Sequence, residues 1–276
     1  MIKDITLNLG VDADNDPALD YAVSIAEQFD AHVTGIAFAY ERVIPGSVMG
    51  SMAVEIIEAD RAASRQAAQK ATARFEAATK RSSLSAETLT ISATTSEAMK
   101  YFAGAVRRSD LAVIGQPRPE ESVSQELVIE AALFQSGRPV IVVPYINKGG
   151  LKLDRVLCCW DGSAAAARAI GDALPFLKRA KSIELAIVET SKVKPDQLSG
   201  ADMGKHLARH GLKVTVKQLS SANVEVADVI LSHASDNGID LIVMGGYGHS
   251  RLREFVLGGT TLGILNTMTV PVLMSH

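Results

Sequence analysis

Short apolar runs bounded by polar or glycine-bearing stretches recur along the whole chain, and longer segments of mixed polarity separate them. A short continuous apolar run marks a buried strand, and a longer segment with one apolar face marks a helix. Read this way, the pattern predicts strands over 2–9, 31–38, 86–92, 110–114 and 139–143, and again over 154–160, 182–189, 213–219, 239–244 and 271–275. Helices over 163–179, 198–210, 222–236 and 251–267 fall between the later strands. A long helix over 51–79, rich in alanine and charge as in Arg61-Ala62-Ala63-Ser64-Arg65, reads as a solvated amphipathic element. Strand and helix in alternation imply repeated crossovers, hence an α/β fold with a mostly parallel sheet and helices on both faces.

The pattern also repeats itself. Ser109-Asp110-Leu111-Ala112-Val113-Ile114-Gly115 is matched by Ile239-Asp240-Leu241-Ile242-Val243-Met244-Gly245, and each is followed by a Pro-Val strand, at Pro139-Val140 and Pro271-Val272. Lys3-Asp4-Ile5-Thr6-Leu7 likewise parallels Leu153-Asp154-Arg155-Val156-Leu157. The chain is thus two copies of one five-stranded unit, with domains expected at 1–148 and 149–276 and the join near Asn147-Lys148-Gly149-Gly150.

Composition narrows the function. With 276 residues, 47% of them hydrophobic, the chain can bury a sizeable core. A formal charge of -3 and 5% aromatic residues supply neither the basic field nor the stacking platforms that nucleic acid requires. No apolar run approaches the roughly 18 to 20 residues of a membrane span, and the N-terminal residues enter a strand pattern directly, so a cytoplasmic protein without membrane partners is expected. Cys158 and Cys159 are adjacent within an apolar run, a poor arrangement for a disulfide and too few ligands for a metal, and they read as buried strand residues. Residues 1–148 carry a formal charge of -5 and residues 149–276 one of +2, an imbalance that suits an anionic ligand in the second half and equally fits drift in surface charge.

In an open doubly wound sheet, ligands sit beyond the carboxyl ends of the strands where the strand order reverses. Two segments of the second half belong there. After its first strand comes Trp160-Asp161-Gly162-Ser163, in which Asp161 can accept hydrogen bonds from a ribose hydroxyl or a base amine. Asp-Gly-Ser before an alanine-rich helix is also good helix-capping chemistry, and at this point both readings stand. After the fourth strand comes Gly245-Gly246-Tyr247-Gly248-His249-Ser250-Arg251, small and rich in donors, leading into a helix whose free amides and dipole favour phosphate. It is not a P-loop, because no Gly-Lys-Ser or Gly-Lys-Thr follows, and it lacks the third glycine of a dinucleotide fingerprint. A plain turn also fits Gly245 and Gly246. Arg251 and Arg253 either reach a phosphate or lie on the solvent face of the helix, and His249 has no carboxylate partner visible in the sequence.

The spacing Gly245-x-x-Gly248, nine residues, then Gly258-Gly259-Thr260 resembles the ATP-binding motif of the universal stress protein family, and the resemblance extends over both repeats, as in the family's tandem members. It implies two doubly wound domains of the Rossmann-like, adenine nucleotide alpha-hydrolase-like type. It also implies that Asp161 recognises the adenosine end, that Val188 lies against the adenine, and that Met244 and Gly245 border base and ribose. Gly248, His249 and Ser250, with Gly258, Gly259 and Thr260, would hold phosphates through backbone amides. Gly259 departs from the serine or threonine of the motif, and Thr260 or Thr261 is the replacement hydroxyl. One such hydrogen bond contributes about 0.5–1.5 kcal/mol, so its loss weakens binding without abolishing it.

The first repeat reads Ile114-Gly115-Gln116-Pro117-Arg118-Pro119-Glu120-Glu121 at the equivalent place, where prolines remove donors and glutamates repel phosphate, and its Asp12 is displaced by one residue relative to Asp161. A nucleotide-free first domain is expected. The resemblance implies a pseudo-dimer of the two domains packed through their last strands, with a further homodimer open. It also implies ATP or a related adenine nucleotide as ligand, with Mg2+ held by the phosphates, and a regulatory role with at most slow hydrolysis or self-phosphorylation. A nucleotide-free interaction module and an adenylating or nucleotide-hydrolysing enzyme of the same fold are the alternatives.

Overall fold

The computed structural model describes residues 1–11, 15–41, 54–118, 124–189, 200–222, 224–246 and 259–276. The chain forms two compact units, Ile2–Arg138 and Pro139–His276, with Met1 grouped with the second.

In the first unit, strands β1 (Asp4–Asn8), β2 (His32–Tyr40), β3 (Ala86–Ala93) and β4 (Leu111–Gly115) lie in the order β3-β2-β1-β4, all parallel. Leu7 pairs with Gly35 on one side and Val113 on the other. Helices α1 (Pro17–Phe29), α2 (Val54–Arg81), α3 (Thr95–Val106) and α4 (Ser124–Gln135) connect and flank them. Helix α1 begins where its sequence dictates. Pro17 presets the helical φ at a position whose amide would be unpaired anyway, and the Asp16 carboxylate accepts from the amides of Ala18 (3.1 Å) and Leu19 (3.2 Å). Its other oxygen accepts from Gly10 N–H at 2.8 Å, while Arg74 of α2 donates to the Gly10 carbonyl at 2.7 Å. The segment after β1 is thus held by a carboxylate on its amide and a guanidinium on its carbonyl. Helix α3 starts on a capping box in which Thr94 and Glu97 satisfy each other's amides.

In the second unit, β5 (Val140–Val143), β6 (Arg155–Cys159), β7 (Ser182–Glu189), β8 (Val214–Ser220), β9 (Leu241–Gly245) and β10 (Val272–Ser275) take the order β5-β10-β9-β6-β7-β8. All pairings are parallel except that of β5 with β10, where Val140, Ile141 and Val142 face Met274, Leu273 and Val272. Strand β5, the last of the first repeat, therefore belongs by its packing to the second compact unit. Helices α5 (Ala164–Asp172), α6 (Leu174–Leu177), α7 (Gly200–Arg209), α8 (Val226–Asp236) and α9 (Gly259–Thr267) complete the unit. Helix α5 packs on β9 and β10 and α7 on β7 and β8, whereas α8 and α9 pack against each other. Crossovers of one hand whose direction reverses after β8 put the later helices on the opposite face.

The helix predicted over 163–179 is two helices. Pro175 has no N–H to give the Gly171 carbonyl and its ring crowds that oxygen, so α5 stops at Asp172 and α6 restarts with Pro175 in its first turn. Of the helix predicted over 251–267, the part from Gly259 is observed and 251–258 lies outside the described residues. The long helix predicted over 51–79 is observed as Val54–Arg81. It is not wholly solvated, because Phe75 is buried against the glycine at position 35 of β2.

At Gly245 the end of β9 meets the first turn of α5 backbone to backbone. A Cβ there would lie 2.5 Å from Ala166 N and 2.7 Å from the Ala165 carbonyl carbon. Gly245→Ala is expected to destabilise the protein by about 1–3 kcal/mol, since the obstacle is backbone that cannot rotate aside. Gly259→Ala, where no described residue lies within 4 Å of the added carbon, should leave the thermal unfolding midpoint nearly unchanged.

Burial raises the Asp16 carboxyl above its ordinary range, against the amide hydrogen bonds and the Arg74 charge that lower it. A carboxyl whose folded pKa exceeds the unfolded one favours folding most when protonated, so its contribution declines as pH rises through the folded value. Arg74→Met removes a compensating charge and the bond to Gly10. The expected loss is about 2 kcal/mol at pH 7 and less at acidic pH, once Asp16 is protonated, read from urea unfolding at the two conditions.

Candidate functional site

Strands β6 and β9 are parallel neighbours, and the strand order reverses between them, because β7 and β8 extend the sheet on one side and β10 on the other. The crevice beyond their carboxyl ends is the switch point at which doubly wound sheets bind ligands. On the β6 side the ladder continues one residue past the strand, with Trp160 N–H donating to the Ala186 carbonyl at 2.8 Å. The chain then turns. Asp161 Oδ1 accepts from Ser163 N–H at 2.9 Å, and Ser163 Oγ accepts from Ala166 N–H at 3.1 Å. Ser163 is the N-cap of α5, and Asp161 braces the turn that presents it. The Asp161 side chain is exposed, so its carboxylate remains open to solvent at the crevice while one oxygen holds the turn.

On the β9 side, Met244 is buried and Gly245 lies against α5. Gly246 has both backbone groups engaged: its N–H donates to the Ser275 carbonyl at 2.9 Å, and its carbonyl is 3.1 Å from His276 Nδ1. Ser275 Oγ in turn donates to Asp172 Oδ2 at 2.9 Å at the far end of α5. Gly246 is therefore an anchor between β9 and β10, and its amide is not free for an anion. The sequence offered no sign of His276 or Asp172 in this role, since neither lies near the glycine segment along the chain.

Val188 stands near the end of β7, half-buried, paired with Leu219 of β8. Gly259, Thr260 and Thr261 form the first turn of α9; Gly259 is exposed, Thr260 half-buried and Thr261 3% exposed. The Thr261 side chain thus belongs to the interior. Helix α9 is held close to α8 by small residues, for a Cβ on Gly263 would lie 2.8 Å from that of Ala227. The structure places Asp161, Val188, Met244 and Gly245 at the carboxyl ends of three adjacent strands. Gly248, His249, Ser250 and Gly258, with Arg251 and Arg253, lie outside the described residues, as does Asp12 of the first repeat.

The matched aspartates of the two repeats serve the opposite, amino end of the strands. Asp110 Oδ2 accepts from Lys3 N–H (2.7 Å) and Asp4 N–H (3.2 Å), and Asp240 Oδ2 accepts from Arg155 N–H (2.9 Å). Each carboxylate ties the start of one central strand to the next. At the carboxyl end the first repeat differs from the second: Gln125, in the first turn of α4, donates to the Gly115 carbonyl at 3.0 Å, and Gln116 is buried. On β6, burial raises the Cys158 thiol and pushes that of Cys159 up to about 12, with Asp161 adding to the latter, so neither is a thiolate at neutral pH. Among the described residues no three His, Cys, Asp or Glu side chains converge to hold a metal, and no helix is long and apolar enough to cross a membrane.

Residues 152–276 match the model of the universal stress protein family. A universal stress protein of Synechocystis sp. is 33% identical over 142 residues, 49% of this chain and 46% of that protein, so the chain spans less than half the length of this relative. A universal stress protein of Bacillus subtilis is 29% identical over 145 residues, covering 44% of this chain and 97% of the relative. The crystal structure of a universal stress protein from Archaeoglobus fulgidus superposes with a TM-score of 0.71 at 17% identity, covering 99% of this chain and 97% of that one, and so shares its fold. Residues 152–276 thus form a domain that matches the universal stress protein family, and the chain as a whole shares the fold of the Archaeoglobus fulgidus protein.

Proposed function

We propose that the second repeat binds ATP or a related adenine nucleotide at the crevice between β6 and β9, and that occupancy regulates the protein rather than feeding a dedicated catalytic cycle. The observation that carries this reading is the meeting of an exposed carboxylate, Asp161, with the glycine-lined end of β9 at the reversal of strand order. The residues present fit such a ligand. Gly259, in the first turn of α9, has no described residue within 4 Å of the place a Cβ would occupy, a setting that suits an anion drawn by the helix dipole.

In this reading Asp161 holds the adenosine end and Val188 and Met244 flank the base. The amides of Gly248, His249, Ser250, Gly258, Gly259 and Thr260 hold the phosphates, to which Mg2+ binds. No side chain of the described crevice is placed as a general base, which supports slow turnover at most. The first repeat stays empty of nucleotide, because Gln125 closes on Gly115 where the second repeat has its glycine segment. The two repeats associate through their last strands as a pseudo-dimer, supported by the antiparallel pairing of β5 with β10, and the protein acts in the cytoplasm. A second reading, a nucleotide-free interaction module, is favoured by the glycine at 259 where the family motif has a hydroxyl.

Titration calorimetry with ATP separates the two. Asp161→Ala and Gly248→Val should each weaken ATP binding at least about tenfold; unchanged affinity in both would remove the proposed site. Gly259→Ser restores the missing hydroxyl at a position with room for it, and should tighten ATP binding by about fivefold, equivalent to about 1 kcal/mol. Absence of heat and of any thermal shift at millimolar ATP in the wild-type protein would favour the interaction module.

A further inference from the structure

Helix α7 and the turn that closes it carry a pair of histidines that the nucleotide reading does not use. His206 lies in the last turn of α7 and His210 one residue past its end, four residues on, so the closing turn keeps the two on the same side of the helix end. Both are exposed, and their ring centroids are 4.9 Å apart with the planes inclined at 70°. The last turn is tightened. His210 N–H donates to the Leu207 carbonyl at 3.0 Å and Gly211 N–H to the Ala208 carbonyl at 2.9 Å, three residues back in each case, and Gly211 takes a φ of 79° that suits glycine. This closing turn sets the His210 ring edge-on beside that of His206.

We propose that His206 and His210 form a two-nitrogen chelate for a late first-row divalent cation of the Zn2+, Ni2+ or Cu2+ class, with water completing the coordination sphere. Imidazole is the side chain best suited to these ions, and two imidazoles on adjacent turns can turn about their side-chain torsions to share one ion without moving the backbone. The place also suits a cation electrostatically, since the carbonyls of the last turn give the helix its negative end. Of the charged neighbours on α7, Lys205 is drawn aside by Asp202 at 3.1 Å, while Arg209 shares the last turn. Two protein ligands rather than three make this a surface site that takes up and releases its ion, not a permanent structural centre. Metal bound here would clip the last turn of α7, the helix that covers edge strand β8.

The full chain, stripped of metal with a chelator, is titrated with Zn2+ by calorimetry, alongside His206→Ala, His210→Ala and the double variant, each checked for unchanged circular dichroism. The expected result is one Zn2+ per chain lost from the double variant, with each single variant weakened on the order of 100-fold because a chelate becomes a single-ligand contact. Zn2+ should also raise the melting temperature of the wild-type protein and not that of the double variant. Equal Zn2+ affinity in the wild type and the double variant, dependence on only one of the two histidines, or no uptake at millimolar free Zn2+ would each overturn the assignment. None of these outcomes bears on the nucleotide site, which is tested with ATP alone.

Discussion

The close approach of α5 to β9 organises the candidate site. A helix backbone comes this near a strand backbone only where no side chain intervenes, and Gly245 supplies that gap. The contact sets the first turn of α5, with its Ser163 cap and Asp161 brace, beside the end of β9. The far end of the same helix is tied to β10 through Asp172 and Ser275, and β10 holds Gly246. One short helix thus fixes both walls of the crevice and the point at which the glycine segment leaves the sheet. The same physics explains why Gly246 serves as an anchor: a strand end pinned on both backbone groups gives the departing chain a defined origin.

The two repeats agree at one end of their strands and diverge at the other. Asp110 and Asp240 perform the same task, closing the amino ends of the central strands by accepting backbone amides. At the carboxyl ends, a glutamine side chain folds onto Gly115 in one repeat, whereas in the other the Asp161 carboxylate and Gly259 are exposed. Duplication preserves what the sheet needs to close and leaves free what a ligand would read. The +2 charge of the second half and the -5 of the first lie on the same side of that division.

Much of the fold was legible because its signals are local. Apolar runs located the strands within two residues; the central ones, β1, β4, β6 and β9, are nearly continuous because they are buried on both faces, whereas the edge strands β3 and β8 alternate with polar residues. Two features escaped. Pro175 was inside a segment read as one helix, although its missing amide divides α5 from α6; periodicity does not register the loss of a donor. The antiparallel pairing of β5, the last strand of the first repeat, with β10 is a matter of tertiary pairing that no local pattern encodes. At the site, Asp161 and Ser163 were recognisable as a turn before a helix, and the structure divides their labour into brace and cap. The anchoring of Gly246 by residues near the end of the sequence was not recognisable, because it depends on strand order. The small-residue reading of Gly245 as a turn gives way to steric necessity, visible only once α5 is in place.

The position of Cys158 has a consequence beyond the site. It lies on β6, in the middle of the second sheet, with no exposed surface and a thiol held protonated by its surroundings. Reagents that attack thiolates reach it only when the layer packed on that face of the sheet opens, so its rate of alkylation reports that opening. The protein therefore carries an intrinsic clock for the breathing of its second half, readable as the mass added at a native cysteine.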